Sequence, residues 1–236
     1  MSPYLAELIG TAFLIVLGDG VVASVILNKS KGNQGGWIVI TLGWGMAVFI
    51  GVYATAKYSG AHLNPAVTFA QALQGKLAWE EVPAYVAAQL AGAMLGALLV
   101  WLTYKKHFDE TPDADTKLGV FCTIPAIRNP KYNFLTEFIA TMVFILAISY
   151  ITGPTAGIGS LDALPVAFVV LAIGLSLGGP TGYAINPARD LGPRLMHFLL
   201  PIPGKRDSDW SYAWIPVLGP LAGAAAAAFL YQYWLH

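Results

Sequence analysis

Six long apolar stretches, at 4–27, 37–56, 82–104, 133–152, 162–180 and 212–235, occupy most of this chain. Each approaches the ~20 residues that carry an α-helix across ~30 Å of hydrocarbon. Of the 236 residues, 56% are hydrophobic and only 11% charged, against about 25% charged in a soluble domain. A soluble helical protein with a greasy core is the alternative, but so little polar chemistry would not cover a water-exposed surface. The first stretch is not a signal peptide, because Met1-Ser2-Pro3-Tyr4 gives no basic start and the apolar run is long. The expectation is an all-α membrane protein with six spanning helices. Trp37, Trp79, Trp101, Trp210, Trp214 and Trp234 fall near the proposed ends, where indole rings anchor at the membrane interface.

Thirteen basic and thirteen acidic residues cancel, which argues against nucleic acid or another polyanionic partner. The single Cys122 excludes an internal disulfide and a cysteine metal cluster. Most charges gather between spans. Lys105, Lys106, Asp109, Glu110, Asp113, Asp115, Lys117 and Arg128 form one polar connection, and PIPGKRDSDWS at 201–211 forms a second. Both read first as solvated faces.

The chain repeats its own plan. AELIGTAFLIVLG at 6–18 has a counterpart in TEFIATMVFILAI at 136–148, and AAQLAGAMLGALL at 87–99 has one in LGPLAGAAAAAFL at 218–230. The halves run roughly from 1 to 108 and from 133 to 236, within one transmembrane domain and joined by a polar loop at 109–132. Three spans per half is an odd number, so the second half enters from the opposite side. Such inverted repeats often hold a transport site at their interface.

Each half also carries a small-residue loop ending in Asn-Pro-Ala: SGAHLNPAV at 59–67 and TGYAINPAR at 181–189. Asn64 and Asn186 suit an N-cap, and Pro65 and Pro187 suit the first helical position, ahead of Ala66 and Ala188. The helices that follow are long enough to cross only about half the hydrocarbon. In inverted halves they meet N-terminus to N-terminus, with two positive dipole ends facing the centre. Irregular backbone is tolerated at membrane depth only where it lines a cavity or is buried in protein. The carbonyls of Gly60, Ala61, His62 and Leu63, and of Gly182, Tyr183, Ala184 and Ile185, are therefore expected to line a lumen. Amide donors on Asn64 and Asn186, with Arg189, complement them, which is the pairing that water and small polyols require.

The remaining polar groups fit around this arrangement. Glu7 and Glu137 are costly at membrane depth unless paired, and read as acceptors for N–H groups of the two loops, with a proton relay as the alternative. Asp19 fits a vestibule and receives no catalytic role. His62 reads as a loop or lumen residue rather than a metal ligand, because no Cys/His/Asp set completes a site. His197 receives no function. Gly92-x-x-x-Gly96 and Gly219-x-x-x-Gly223 permit close helix crossings, here assigned to the central seam.

Together these residues resemble the major intrinsic protein family, in its glycerol-conducting aquaglyceroporin branch. The resemblance covers almost the whole chain and rests on two Asn-Pro-Ala triplets between matching blocks, with Arg189 directly after the second. It implies six spanning helices, two re-entrant half-helices and a tetramer with one pore per subunit. It also implies passive flux without a cofactor, a metal or a covalent intermediate. Carried over by residue, the family's aromatic/arginine constriction corresponds to Trp44, Gly174, Tyr183 and Arg189. A water-selective relative is expected to carry histidine at Gly174, and loss of that side chain enlarges the passage. Tyr183 departs from the branch, where phenylalanine is common. Asp190 also resembles the glycerol branch and is assigned to loop support and to positioning Arg189.

The implied function is a glycerol channel of the plasma membrane that also conducts water and excludes protons and ions. Water, urea, dihydroxyacetone or a small undissociated acid are the competing preferred solutes. A coupled secondary transporter is the alternative mechanism, since an inverted repeat alone permits one. No Ser/His/Asp set points to an enzyme, and a closed junction protein could reuse the same scaffold. The resemblance puts both termini in the cytoplasm. Lys29, Lys31, Lys105, Lys106, Lys117, Arg128, Lys131, Lys205 and Arg206 then face outward, with only Lys57 and Lys76 facing inward, against the positive-inside tendency.

Overall fold

The computed structural model describes residues 1–151 and 159–233. The segment 153–161 between the expected spans 133–152 and 162–180 falls mostly outside that range, and Trp234 falls wholly outside it. Within it, the chain forms nine α-helices: α1 (Pro3–Ile26), α2 (Trp37–Ser59), α3 (Pro65–Leu73), α4 (Val82–Glu110), α5 (Ala114–Phe121), α6 (Pro130–Tyr150), α7 (Leu164–Ser176), α8 (Pro187–Leu199) and α9 (Ile215–Tyr233). The described residues form no strand. Five of the helices are long and apolar enough to cross a membrane. The remaining expected span, the fifth in chain order, is α7, which has only 13 residues. A 3-10 turn over Gly159–Ala163 precedes it, and the two together reach roughly 30 Å.

Local chemistry sets the ends. Ser2, Asn64, Asp113, Asn129 and Asn186 each cap a helix through a side-chain oxygen, and α1, α3, α6 and α8 carry proline in their first turn. The half-helices have 9 residues in α3 and 13 in α8. The polar connection is more structured than a loop. Its first four charges ride on the last turns of α4, and α5 fills its middle. Nor is it all a solvated face. Lys117, Ser208 and Asp209 are buried, and Lys117 Nζ donates to the Pro203 carbonyl.

Within each half the first and last spans pack together, α1 on α4 and α6 on α9, while α2 on α7, α4 on α8 and α3 on α9 join the halves. The two glycine pairs therefore make the crossings inside each half rather than the central seam. A Cβ on Gly92 would lie 2.2 Å from the Leu8 carbonyl oxygen, and one on Gly223 would lie 2.3 Å from that of Phe138. The seam uses Gly45, against Leu171 and Ala167, and Gly192, against Ala93 and Leu90. Small residues let the backbones approach because lipid supplies no hydrophobic drive between helices. Large side chains such as Ile38, Leu42, Tyr53, Leu102, Phe168 and Phe229 point outward instead.

The glycine contacts give a stability test. Gly223→Ala meets a backbone carbonyl that cannot step aside, whereas a Cβ at Gly20 meets nothing within 4 Å. Thermal unfolding in detergent should show Gly223→Ala destabilised by about 1–3 kcal/mol, as for overpacking. Gly20→Ala should melt at or above the parent temperature. Equal melting of the two variants would remove the close α6–α9 approach as a packing determinant.

Candidate functional site

The two Asn-Pro-Ala loops are built alike. Gly60 and Gly182 open them at φ +80° and +84°, a region glycine reaches freely. Ala61, Leu63, Tyr183 and Ile185 also have positive φ, between 38° and 52°, which costs a residue bearing a Cβ roughly 1–3 kcal/mol. Only His62 and Ala184 interrupt this left-handed run. The backbone N–H groups of His62 and Leu63 donate to the Glu7 carboxylate at 2.9 and 2.7 Å. Those of Ala184 and Ile185 donate to Glu137, both at 2.9 Å. Ser59 and Thr181 add hydroxyl donors to the same two carboxylates, each at 2.6 Å. On the first half Gln89 contributes as well, through Nε2 to Glu7 at 2.8 Å.

With their N–H groups held on one side, the loops turn their carbonyls away. No donor among the described residues reaches the carbonyls of Gly60, Ala61, His62, Gly182, Tyr183 or Ala184. Leu63 and Ile185 depart from the expected ladder. The Leu63 carbonyl accepts from Asn186 Nδ2 and the Ile185 carbonyl from Asn64 Nδ2, each at 2.8 Å. Each asparagine also caps its own half-helix, Asn64 accepting from Ala66 and Asn186 from Ala188 and Arg189. One N–H of each amide is spent across the seam and one remains. The N-termini of α3 and α8 are thus tied to each other's loop.

A cavity of about 340 Å³ runs past this junction, lined by the first loop from Gly60 to Asn64, the second from Tyr183 to Asn186, and Arg189. Aliphatic and aromatic side chains, among them Leu14, Val48, Phe144 and Val170, complete its wall. His62 lines it too, with Nδ1 3.1 Å from Thr68 Oγ1 and its ring 5.0 Å from Tyr85. Trp44, Tyr183 and Arg189 border both this cavity and a second of about 190 Å³ that includes Trp37, Cys122 and Gly182. The Arg189 guanidinium lies over the Trp44 ring at 4.4 Å, a cation–π stack. Trp44 in turn rests on bare backbone, since a Cβ on Gly18 would meet its ring at 2.3 Å.

Gly174 is close to Tyr183, but it does not simply widen the passage. A Cβ there would meet Tyr183 Cζ at 2.9 Å, and one on Gly178 would meet Tyr183 Cδ1 at 2.4 Å. The tyrosine ring fills the space that the two glycines leave, one turn apart on α7 and beyond its end. Trp37 closes the socket edge-on, with its ring 5.7 Å from that of Tyr183 and its Nε1 donating to the Gly174 carbonyl. Trp37 is thus more than an interface anchor. Trp101 lies within α4, which continues past the expected span end to Glu110, and Lys105 sits over its ring. Trp79, Trp210 and Trp214 are exposed near element ends.

Asp190 does not reach Arg189. It accepts from the backbone and hydroxyl of Thr123, at 2.8 and 2.6 Å, and pairs with buried Arg194 at 2.7 Å. Arg194 also donates to the carbonyls of Ser208 and Asp209. His197 is buried beside this network, its Nδ1 2.8 Å from Ser208 Oγ. From the sequence alone, Ser59, Thr181, Thr123 and Arg194 carry no role, and Trp37 carries only an anchoring one. The repeat itself carried the signal for the first two, because Ser59-Gly60 and Thr181-Gly182 occupy matching places. Among the described residues no cluster of His, Cys, Asp and Glu could hold a metal.

Comparison with known proteins gives the same architecture a family. The family model described as Major intrinsic protein matches residues 1–231. A Thermotoga maritima protein described as "Probable glycerol uptake facilitator protein" is 58% identical, covering 99% of each chain. The Streptococcus pneumoniae glycerol uptake facilitator protein is 52% identical, over 98% of this chain and 99% of its own. The X-ray structure of the aquaglyceroporin from Plasmodium falciparum superposes with a TM-score of 0.87 at 30% identity, covering 98% of this chain and 95% of that one. The chain belongs to the major intrinsic protein family.

Proposed function

We propose that this protein is a passive channel for glycerol and other small neutral solutes, and that it also conducts water. The observation that carries the reading is the pair of Asn-Pro-Ala loops tied head to head beside a cavity of mixed chemistry. Carbonyls of Gly60, Ala61, His62, Gly182, Tyr183 and Ala184 offer acceptors, Asn64, Asn186 and Arg189 offer donors, and aliphatic side chains supply an apolar wall. A polyol needs all three, because its hydroxyls both donate and accept while its carbons do neither. Relatives named as glycerol uptake facilitators at 58% and 52% identity support the same solute. The reaction is transport rather than catalysis, as in those relatives.

In this reading Trp44, Gly174, Tyr183 and Arg189 form the selectivity filter, and Asn64 and Asn186 form the pore centre. Trp44 and Tyr183 meet the solute's carbons while Arg189 addresses its hydroxyls. A cation meets two helix N-termini, two amide donors and a guanidinium, all of them positive ends. Water held by Asn64 and Asn186 accepts at the centre and donates outward, which interrupts a proton relay. The protein sits in the plasma membrane as a homotetramer with one pore per subunit and cytoplasmic termini. That orientation places most basic residues outside, where many are already engaged. Lys29 pairs with Glu110, Arg128 with Asp209 and Arg206 with Asp115, while Lys205 donates to three carbonyls at the end of α8.

Three outcomes test the assignment. In proteoliposomes followed by stopped-flow light scattering, glycerol flux should scale with its gradient and persist without sodium, ATP or membrane potential. Strict dependence on a counter-ion gradient would reveal a coupled transporter instead. Gly174→Ala should push the Tyr183 ring into the passage and lower the glycerol-to-water permeability ratio, whereas Tyr183→Phe keeps the ring and should hold or raise glycerol flux. A ratio unmoved by Gly174→Ala in folded protein would separate this socket from the filter. Arg189→Val should admit a proton leak that the parent lacks, read with a pH-sensitive dye in the same vesicles. A parent that already leaks protons along the water path would defeat the exclusion mechanism.

A further inference from the structure

Asp19 lies in the middle of α1 and is fully buried at 0% exposure. Neither of its carboxylate oxygens has a hydrogen-bond partner among the described residues. An acid so placed is expensive, so a compensating charge is expected close by. It is found in Arg189, whose Nη1 lies 3.9 Å from Asp19 Oδ1 and likewise lacks a hydrogen-bond partner. Asp190, beside Arg189 in sequence, is committed to Arg194 and Thr123. Asp19 is therefore the one acid among the described residues within ion-pair reach of Arg189.

The surroundings fix this geometry. Gly18, next to Asp19, is the bare backbone on which the Trp44 ring rests, and Trp44 is the ring that Arg189 covers. The guanidinium is thus held by Trp44 and approached at Nη1 by Asp19. Asp19 lines neither cavity, whereas Arg189 lines both, so whatever the carboxylate does to a solute it does through the arginine. The separation is well inside the ~8 Å screening length of physiological salt, and burial weakens screening further.

We propose that Asp19 is the counter-ion of the filter arginine, a positioning residue that offsets the Arg189 charge at the constriction and holds the guanidinium back against Trp44. An arginine alone at a narrow point would repel cations and concentrate small anions. With Asp19 behind it, the guanidinium keeps its donors toward the passage while its pull on anions is reduced, which favours neutral polyols over carboxylate anions. The proposal rests on the assignment of Arg189 to the filter.

Asp19→Asn removes the charge at nearly constant shape. Asp19→Ser removes it with a smaller group, and is assayed in parallel so that a folding defect in one leaves the other readable. Proteoliposomes carrying the parent, each Asp19 variant, Arg189→Val and the double variant Asp19→Asn/Arg189→Val would be scored for formate-anion conductance and for glycerol and water permeability. Thermal unfolding in detergent is measured on the same samples. Neutralising Asp19 should raise formate-anion conductance about tenfold, equivalent to ~1.4 kcal/mol. Glycerol permeability should fall several-fold relative to water as the freed guanidinium leans inward, with melting unchanged or raised. In the Arg189→Val background, Asp19→Asn should add nothing. Parent-like anion exclusion and glycerol flux in a folded Asp19 variant would overturn the proposal. So would an equal effect of Asp19→Asn with and without Arg189, or a lowered melting temperature with all permeabilities scaled together. If Arg189→Val itself leaves selectivity unchanged, the failure lies in the filter assignment.

Discussion

Glu7 and Glu137 take up backbone N–H groups that would otherwise be stranded inside the bundle, and the shape of both loops follows from that service. Each carboxylate gathers two consecutive amides and one hydroxyl. Consecutive N–H groups face one acceptor only if the backbone coils tightly, which drives Ala61, Leu63, Tyr183 and Ile185 to positive φ. The strain is local, and the charge-assisted hydrogen bonds offset it. Once the amides are fixed behind the loop, its carbonyls have nowhere to go but forward. A hydrophilic lumen edge is thus made from backbone alone, without a polar side chain at every step.

The surroundings of Tyr183 show how a glycine is read differently once packing is known. A glycine at 174 suggests an empty place, and Tyr183 suggests an added hydroxyl. The two are one feature: Gly174 and Gly178 form the socket, the tyrosine ring fills it and Trp37 covers it. The Tyr183 hydroxyl is buried and has no hydrogen-bond partner among the described residues. In the proposed filter, the width of the passage then depends on how deep the ring sits as much as on the size of residue 174.

Elements with a repeat were legible in the sequence, and those fixed by a single long-range contact were not. The apolar stretches, the loops, their caps and the two glutamates occur twice, so each half vouches for the other. Asp19 has no counterpart, and its meaning depends on an arginine 170 positions away that only the fold brings to 3.9 Å. Lys117 looked solvated because it stands among charges, yet the chain folds back to bury it against Pro203. The glycine pairs announced a close crossing without naming the partner helix, because small residues permit approach from any side. The brevity of α7 was hidden because the uncharged Leu177-Gly178-Gly179-Pro180 after it and the 3-10 turn before it extend the apparent span but not the α-helix.

The exchange of asparagine bonds across the seam has a consequence for how the protein is made. When the first half has left the ribosome, Glu7 can already shape its loop, because Ser59, His62, Leu63 and Gln89 all belong to that half. Asn64 Nδ2 and the Leu63 carbonyl cannot yet be satisfied, because their partners, Ile185 and Asn186, lie more than a hundred residues downstream. The second half stands in the same debt to the first. The first loop can therefore be shaped before it is anchored, and the junction closes only once both halves are present. The cavity wall draws on both halves in the same way, so neither half encloses it alone.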